Sequence, residues 1–307
     1  MKSIFYNSDE KRLRAFWRIS FVTASILTLF TVLSVYVSGF IWLMAGLAII
    51  NLVVIWLACI SLDRRPFREM GFSISLRWMK EFGIGCIIAA ITMSIMVFVL
   101  HQTGYAVVRF DTEAVLTDGF LSSVLGLLVL MIAVSIWEEL YFRGYLLRNM
   151  KDGFSINNTK PKVALTVAVI LSSLAFGFAH TSNPNSSLFS FINITTAGIV
   201  LAYPYIYTQS MAVSVGLHLS WNYFQGVIFG LPVSGLELEA AFFQSTVAEP
   251  EYLTGGHFGP EGGVIGLMGL VIMALLCSMY LHKIWAAEQQ RSLTFVNNSG
   301  RELNADA

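Results

Sequence analysis

The chain has 307 residues, 56% of them hydrophobic and only 12% charged, and its 19 basic and 19 acidic side chains cancel. That balance excludes an ordinary water-soluble globular domain, and a net charge of zero gives no electrostatic footprint for nucleic acid. Apolar blocks recur at about the ~20 residues a helix needs to cross ~30 Å of hydrocarbon, so the chain reads as an all-α, polytopic membrane protein whose first partner is the lipid bilayer.

In chain order, eight spans are predicted: 17–38, 41–61, 82–100, 119–147, 163–180, 189–207, 211–230 and 264–282. The first is preceded by Lys2, Lys11, Arg12, Arg14 and Arg18 like a signal peptide, but its apolar run is too long for one and it reads as an anchor. Tyr203-Pro204-Tyr205 is a predicted kink or stop, with only YTQS before the next span. Starting with the N-terminus inside, every Lys and Arg except Arg109 falls on the cytoplasmic side, so both termini are expected there, with a bacterial cell membrane as the expected location. Residues 1–285 read as one membrane domain and 286–307 as a polar cytoplasmic tail. The 231–263 connection carries five Glu and three Pro but no Lys or Arg; its length suits covering or lining something, although a plain extracytoplasmic loop is the simpler expectation. Cys59, Cys86 and Cys277 lie inside spans without CxxC pairing and read as small hydrophobes.

Inside the spans few ionisable residues remain: Glu138, Glu139 and Arg143 in the fourth, His180 ending the fifth, and His218 in the seventh, with Asn222 one turn on. A charge near the bilayer centre costs ~2.5–3.5 kcal/mol even on a lenient insertion scale, so these residues are expected to share a polar pocket. Adjacent helical residues point about 100° apart, so Glu138 and Glu139 need different tasks. Glu139 and Arg143 stand at i, i+4 in the favourable order for an ion pair, which leaves Glu138 free to face a cavity. His218 and Asn222 share a helix face, as do Phe176 and His180. A carboxylate, two imidazoles and an amide can activate water, stabilise an oxyanion or bind a metal, which points to hydrolysis.

EExxxR at Glu138–Arg143, FxxxH at Phe176–His180 and HxxxN at His218–Asn222, in this order on successive helices, resemble the CPBP family of intramembrane proteases, also known as the CAAX protease and bacteriocin-processing or Abi family. The Arg-rich stretch DRRPFREMGF is also similar to one that often precedes the core in that family. The resemblance covers about 119–230. It implies an eight-helix fold with an intramembrane cavity, and cleavage of a membrane-associated peptide or protein; eukaryotic relatives remove the C-terminal tripeptide of prenylated CAAX proteins. It also implies catalytic roles for Glu138, Glu139, His180, His218 and Asn222: Glu138 with His180 activating water, His218 and Asn222 binding the oxyanion, and Glu139 and Arg143 in support. Zinc is an open cofactor question, with Glu138, His180 and His218 as candidate ligands and no HExxH motif to favour metal.

Helix arithmetic raises one difficulty. Counted at ~1.5 Å per residue from cytoplasmic ends near 148, 163 and 211, Glu138 lies ~15 Å deep, His218 ~10 Å and His180 ~25 Å, too far apart for contact unless a boundary is misplaced. Two other functions compete: a catalytically silent scaffold or bacteriocin-immunity protein of the same fold, and a proton-coupled transporter, which would be expected to show repeated halves.

Overall fold

The computed structural model describes residues 4–8, 10–155 and 160–302, with side chains described through 284. Helices occupy all eight predicted spans: α1 (Ala15–Tyr36), α2 (Phe40–Ala58, continued by a π turn Cys59–Asp63), α3 (Leu76–Gln102), α4 (Phe120–Glu138, extended by a π segment Glu139–Leu147 and a further helical stretch Arg148–Phe154), α5 (Pro161–Ala179), α6 (Leu188–Thr208), α7 (Ala212–Tyr223, with a π turn Phe224–Ile228) and α8 (Val264–Glu302). Local sequence explains several ends. Ser75 caps α3, Ser187 and Ser190 form a capping box at α6, and Pro161 opens α5 where its missing N–H costs nothing. Pro204 does not stop α6, which runs on to Thr208. The predicted polar tail from about 286 lies where no side chain is described; α8 continues as backbone helix to Glu302, and 303–307 lie outside the described residues.

Among the described residues, seven helices are long and apolar enough to cross a membrane, and α7 is not one of them. The reason is its length, 12 α-helical residues and a 5-residue π turn, short of the ~20 a span needs, and it is also enclosed. Every residue from Ala212 to Asn222 is buried, and the helix packs against α3, α4 and α6. Even its start is internal: the Met211 N–H donates to the Gly71 carbonyl at 3.0 Å, and Met211 has no exposed surface. The outer helices show the opposite polarity, with Phe21, Leu27, Val32, Trp42, Ile49 and Trp56 exposed on α1 and α2, as lipid contact requires.

The α3–α7 crossing depends on two glycines. A Cβ on Gly85 would fall on the Val213 carbonyl, and one on Gly216 on the Phe82 carbonyl, so the helices approach backbone to backbone. The α5–α6 crossing uses the same device: Gly177 lies against Thr195, and Gly198 against Ser173.

Charges gather at one end of the bundle. Arg18 and Asp63 form a fully buried ion pair, Arg12 and Arg65 both reach Asp152, and Arg148 bonds Glu69 at 2.7 Å. The opposite end carries an antiparallel pair, β1 (Ala106–Phe110) with β2 (Phe243–Val247), in the register Ala106↔Val247 to Phe110↔Phe243. Arg109 sits on β1, apart from the other basic clusters. Gly83, two residues from Gly85 and so on another face of α3, has nothing within 4 Å of a built Cβ and supplies an internal control. Gly216→Val is expected to lower the melting temperature of the detergent-solubilised protein, or to abolish its monodisperse peak, whereas Gly83→Val leaves both near the parent values; equal behaviour of the two variants would refute the close crossing.

Candidate active site

Glu138 is the last residue of the α-helical part of α4, and Glu139 opens the π segment. Such single π stretches occur preferentially at functional positions, where the widened turn re-aims side chains. Glu139 is fully buried, and its Oε1 accepts from Arg143 Nη1 at 2.9 Å and from His218 Nδ1 at 2.8 Å. Arg143 in turn donates to the Gly198 carbonyl at 3.4 Å, and its Cζ lies 4.2 Å from the centre of the Phe176 ring. The Glu139–Arg143 ion pair expected from i, i+4 spacing is therefore present, and Glu139 also orients His218.

His180 sits just past the end of α5, where its Nδ1 donates to the Phe176 carbonyl at 2.8 Å. With Nδ1–H engaged on both rings, each imidazole turns Nε2 toward Glu138. His218 Nε2 lies 3.7 Å and His180 Nε2 3.9 Å from Glu138 Oε2. These separations exceed a hydrogen bond and suit one bridging water. Glu138 Oε2 is buried and accepts no hydrogen bond among the described residues, so it is an acceptor awaiting a donor. Phe176 stacks edge-on to His180 at 4.8 Å and lies 6.1 Å from His218, holding both rings in place. Asn222, one turn beyond His218, lines the same cavity.

The depth difficulty resolves through two boundaries. α4 extends to Phe154, which puts Glu138 ~24 Å from its end, close to the ~28 Å that separates Pro161 from His180. α7 begins inside the bundle at buried Met211, so counting from a membrane surface misplaces His218. The α5 start moves by only two residues.

The cavity has a volume of about 450 Å³. Beside the predicted residues it is lined by Asn183, Asn193 and Glu261, and by an apolar arm that includes Phe40, Met44, Leu47, Leu130 and Met131. Glu261 is the residue that sequence reasoning missed. Its Oε1 accepts from the Ser234 backbone N–H and, at 2.6 Å, from the Ser234 hydroxyl, and its Oε2 accepts from Trp221 Nε1 at 3.2 Å. Burial pushes the Glu261 carboxyl above the usual range, opposed by the Ser234 and Trp221 donors and by nearby His180. The 231–263 connection therefore lines the site instead of forming a plain external loop. The available signal was an acid flanked by Pro and Gly directly ahead of the last span. Asn193 was also missed; its Nδ2 donates to the Gly263 carbonyl at 2.8 Å and ties α6 to the same connection.

The candidate zinc ligands Glu138, His180 and His218 line one cavity. Among the described residues no group of three or more His, Cys, Asp or Glu is placed to hold an ion. The 3.7 and 3.9 Å separations are wider than the ~3.4 Å that two ligands at ~2.1 Å subtend in a tetrahedral zinc site.

Residues 120–224 match the family model described as type II CAAX prenyl endopeptidase Rce1-like. The match spans α4 to the beginning of the π turn after α7 and contains all three motifs, but not Glu261. The uncharacterized protein YyaK of Bacillus subtilis is 30% identical over 176 residues, and the aligned stretch covers 55% of this chain and 54% of that protein, about half of each. No solved structure matches with significance. The matched segment supplies Glu138, Glu139, Arg143, His180, His218 and Asn222 together, and its similarity to this family of endopeptidases agrees with the CPBP resemblance of the motifs.

Proposed function

We propose that the protein is an intramembrane endopeptidase that hydrolyses a peptide bond of a membrane-associated protein or peptide with a glutamate-activated water. The observation that carries this reading is the convergence of the two Nε2 atoms on Glu138 Oε2, at 3.7 and 3.9 Å, on the wall of a cavity set among apolar helices. Glu138, with His180 beside it, takes a proton from water as the oxygen attacks the scissile carbonyl carbon. His218, held by Glu139 on Nδ1, donates Nε2–H as imidazolium to the developing oxyanion, and the Asn222 amide donates beside it. The proton held by Glu138 then passes to the leaving nitrogen as the C–N bond breaks, which restores the carboxylate. Glu139 and Arg143 act through His218 as positioning residues.

Glu138→Gln keeps size and one acceptor while removing the base. Cleavage of a membrane peptide by this variant is expected to fall by about 10²- to 10⁴-fold. Asn222→Ala is expected to lower kcat by about 10²- to 10³-fold with little change in KM, and activity of the parent is expected to survive exhaustive chelation. Wild-type rates in Glu138→Gln would reject the mechanism.

Arg143→Met leaves the buried Glu139 carboxylate without its cation, a change that typically costs about 3–5 kcal/mol. The thermal stability lost in this variant is expected to return in large part in the Glu139→Gln/Arg143→Met double variant. An additive double variant would show that the pair is not coupled.

For orientation we propose that both termini are cytoplasmic. The clustering of Arg12, Arg18, Arg65 and Arg148 at one end of the bundle and the acidic connection at the other support this. In intact cells a membrane-impermeant maleimide is expected to label a cysteine introduced at exposed Thr246 and to leave one at exposed Arg68 unlabelled. The reverse pattern would invert the topology.

A further inference from the structure

Glu261 lies outside the matched segment, on the short 3-10 turn Pro260–Gly262 that leads into α8, yet it is buried on the wall of the cavity. Among the described residues every hydrogen bond it makes is one that it accepts: from the Ser234 N–H and hydroxyl on Oε1, and from Trp221 Nε1 on Oε2. Three donors on two oxygens are what a carboxylate takes, whereas a protonated Oε2 would meet the indole N–H with a second donor. The contacts therefore hold the form that burial opposes.

Each donor leads to one half of the site. Trp221 immediately precedes Asn222 and follows His218 by three residues, so the seat of its indole sets the rotation of α7 about its axis. That ring is buried and wedged between helices: a Cβ built on Gly269 of α8 would lie 3.1 Å from it and against the Met96 sulfur of α3. Ser234 leads the other way. Its carbonyl accepts from Asn183 Nδ2 at 3.0 Å, and the Asn183 N–H donates to the His180 carbonyl at 3.2 Å. Ser234 holds φ at +47°, in the left-handed region, and the next residue, Gly235, passes so close to the turn after His180 that a Cβ there would fall on the Pro184 carbonyl. A residue other than glycine persists in that region where the surrounding contacts over-determine it. The connection is also tied down without Glu261, by Gln225 Nε2 on the Pro232 carbonyl at 2.5 Å, by the Gly235 N–H on the Phe258 carbonyl at 2.8 Å and by Asn193 on the Gly263 carbonyl. Removing the carboxylate thus frees its two arms without releasing the connection.

Resting on the peptidase reading above, we propose that Glu261 is a positioning residue of that reaction: through Trp221 it fixes the direction of the Asn222 amide, and through Ser234 it locks that direction to the turn carrying His180. The oxyanion donor and the water-activating pair thereby keep one separation. A developing oxyanion is stabilised by donors already aimed at it, and an error of ~1 Å in such a group can cost about 10²-fold. Glu261→Gln keeps the size of the side chain but sets an NH2 group against one of the two arms.

The experiment uses the full-length protein in proteoliposomes with apolar peptides shown to be incorporated into the vesicles, and compares Glu261→Gln made in the parent and in Asn222→Ala. In the parent the substitution is expected to lower kcat about 10- to 10²-fold with KM within about 3-fold. In Asn222→Ala it is expected to lower kcat by a smaller factor, because no amide is left to misplace. A parental kcat in Glu261→Gln, a loss carried by KM, or a factor as large in Asn222→Ala as in the parent overturns the inference while leaving the peptidase reading intact. Should Glu261→Gln fail to give a monodisperse peak, Trp221→Phe removes the indole N–H while keeping an aromatic ring; the same kcat loss and the same dependence on Asn222 are expected, and a parental kcat overturns the inference. A parent protein that cleaves none of the incorporated peptides overturns the peptidase reading and the inference with it.

Discussion

The structure is organised by the need to compensate one buried anion, Glu139, whose Oε1 takes both of its partners. Its carboxylate is compensated by a guanidinium from its own helix and an imidazole N–H from α7, and the guanidinium is itself seated on the Phe176 ring and the Gly198 carbonyl. Four helices are thereby tied to one charge. Breaking any of these contacts leaves a charge in a medium that cannot solvate it, which is why a buried pair constrains geometry more than it adds net stability. The geometry so imposed is the one the proposed chemistry uses: His218 cannot rotate without abandoning Glu139, so its Nε2 remains aimed at Glu138.

Around this centre the usual arrangement of a globular protein is reversed. Large apolar side chains are exposed on α1 and α2, while Glu138, Glu139, Arg143, Asn193, His218, Asn222 and Gln225 are buried. In water that would be untenable; in a bilayer it is the stable solution, because the polar groups meet one another and the apolar ones meet lipid. The glycine crossings at Gly85–Gly216 and Gly177–Thr195 let the helices close tightly enough for the polar groups to touch.

Much of this was legible in the chain. The eight apolar blocks are helices, although α3 starts at Leu76, the fourth runs on to Phe154 and α8 to Glu302, beyond their expected limits, and the three motifs meet. The Glu139–Arg143 pair followed from spacing, because ~100° per residue leaves few partners for an acid in oil. Other features were hidden for physical reasons. The π segment after Glu138 depends on tertiary packing and has no compositional mark. The depth of His218 was misjudged because hydrophobicity cannot distinguish a helix bathed in lipid from one wrapped in protein. Glu261 lies in an irregular connection, where no periodicity assigns a side chain to a face.

The enclosure of α7 bears on how the molecule is made. A short helix with His218, Ser220 and Asn222 along it and no surface for lipid gains little by entering the bilayer alone. Its stable residence depends on neighbours already in place, above all α3 through Gly85 and α4 through Glu139. Because that same helix carries His218 and Asn222, the proposed oxyanion donors, a nascent or misassembled chain holds Glu138 without the groups proposed to act with it. On the peptidase reading, hydrolytic power emerges only on completed assembly, which safeguards the surrounding membrane proteins.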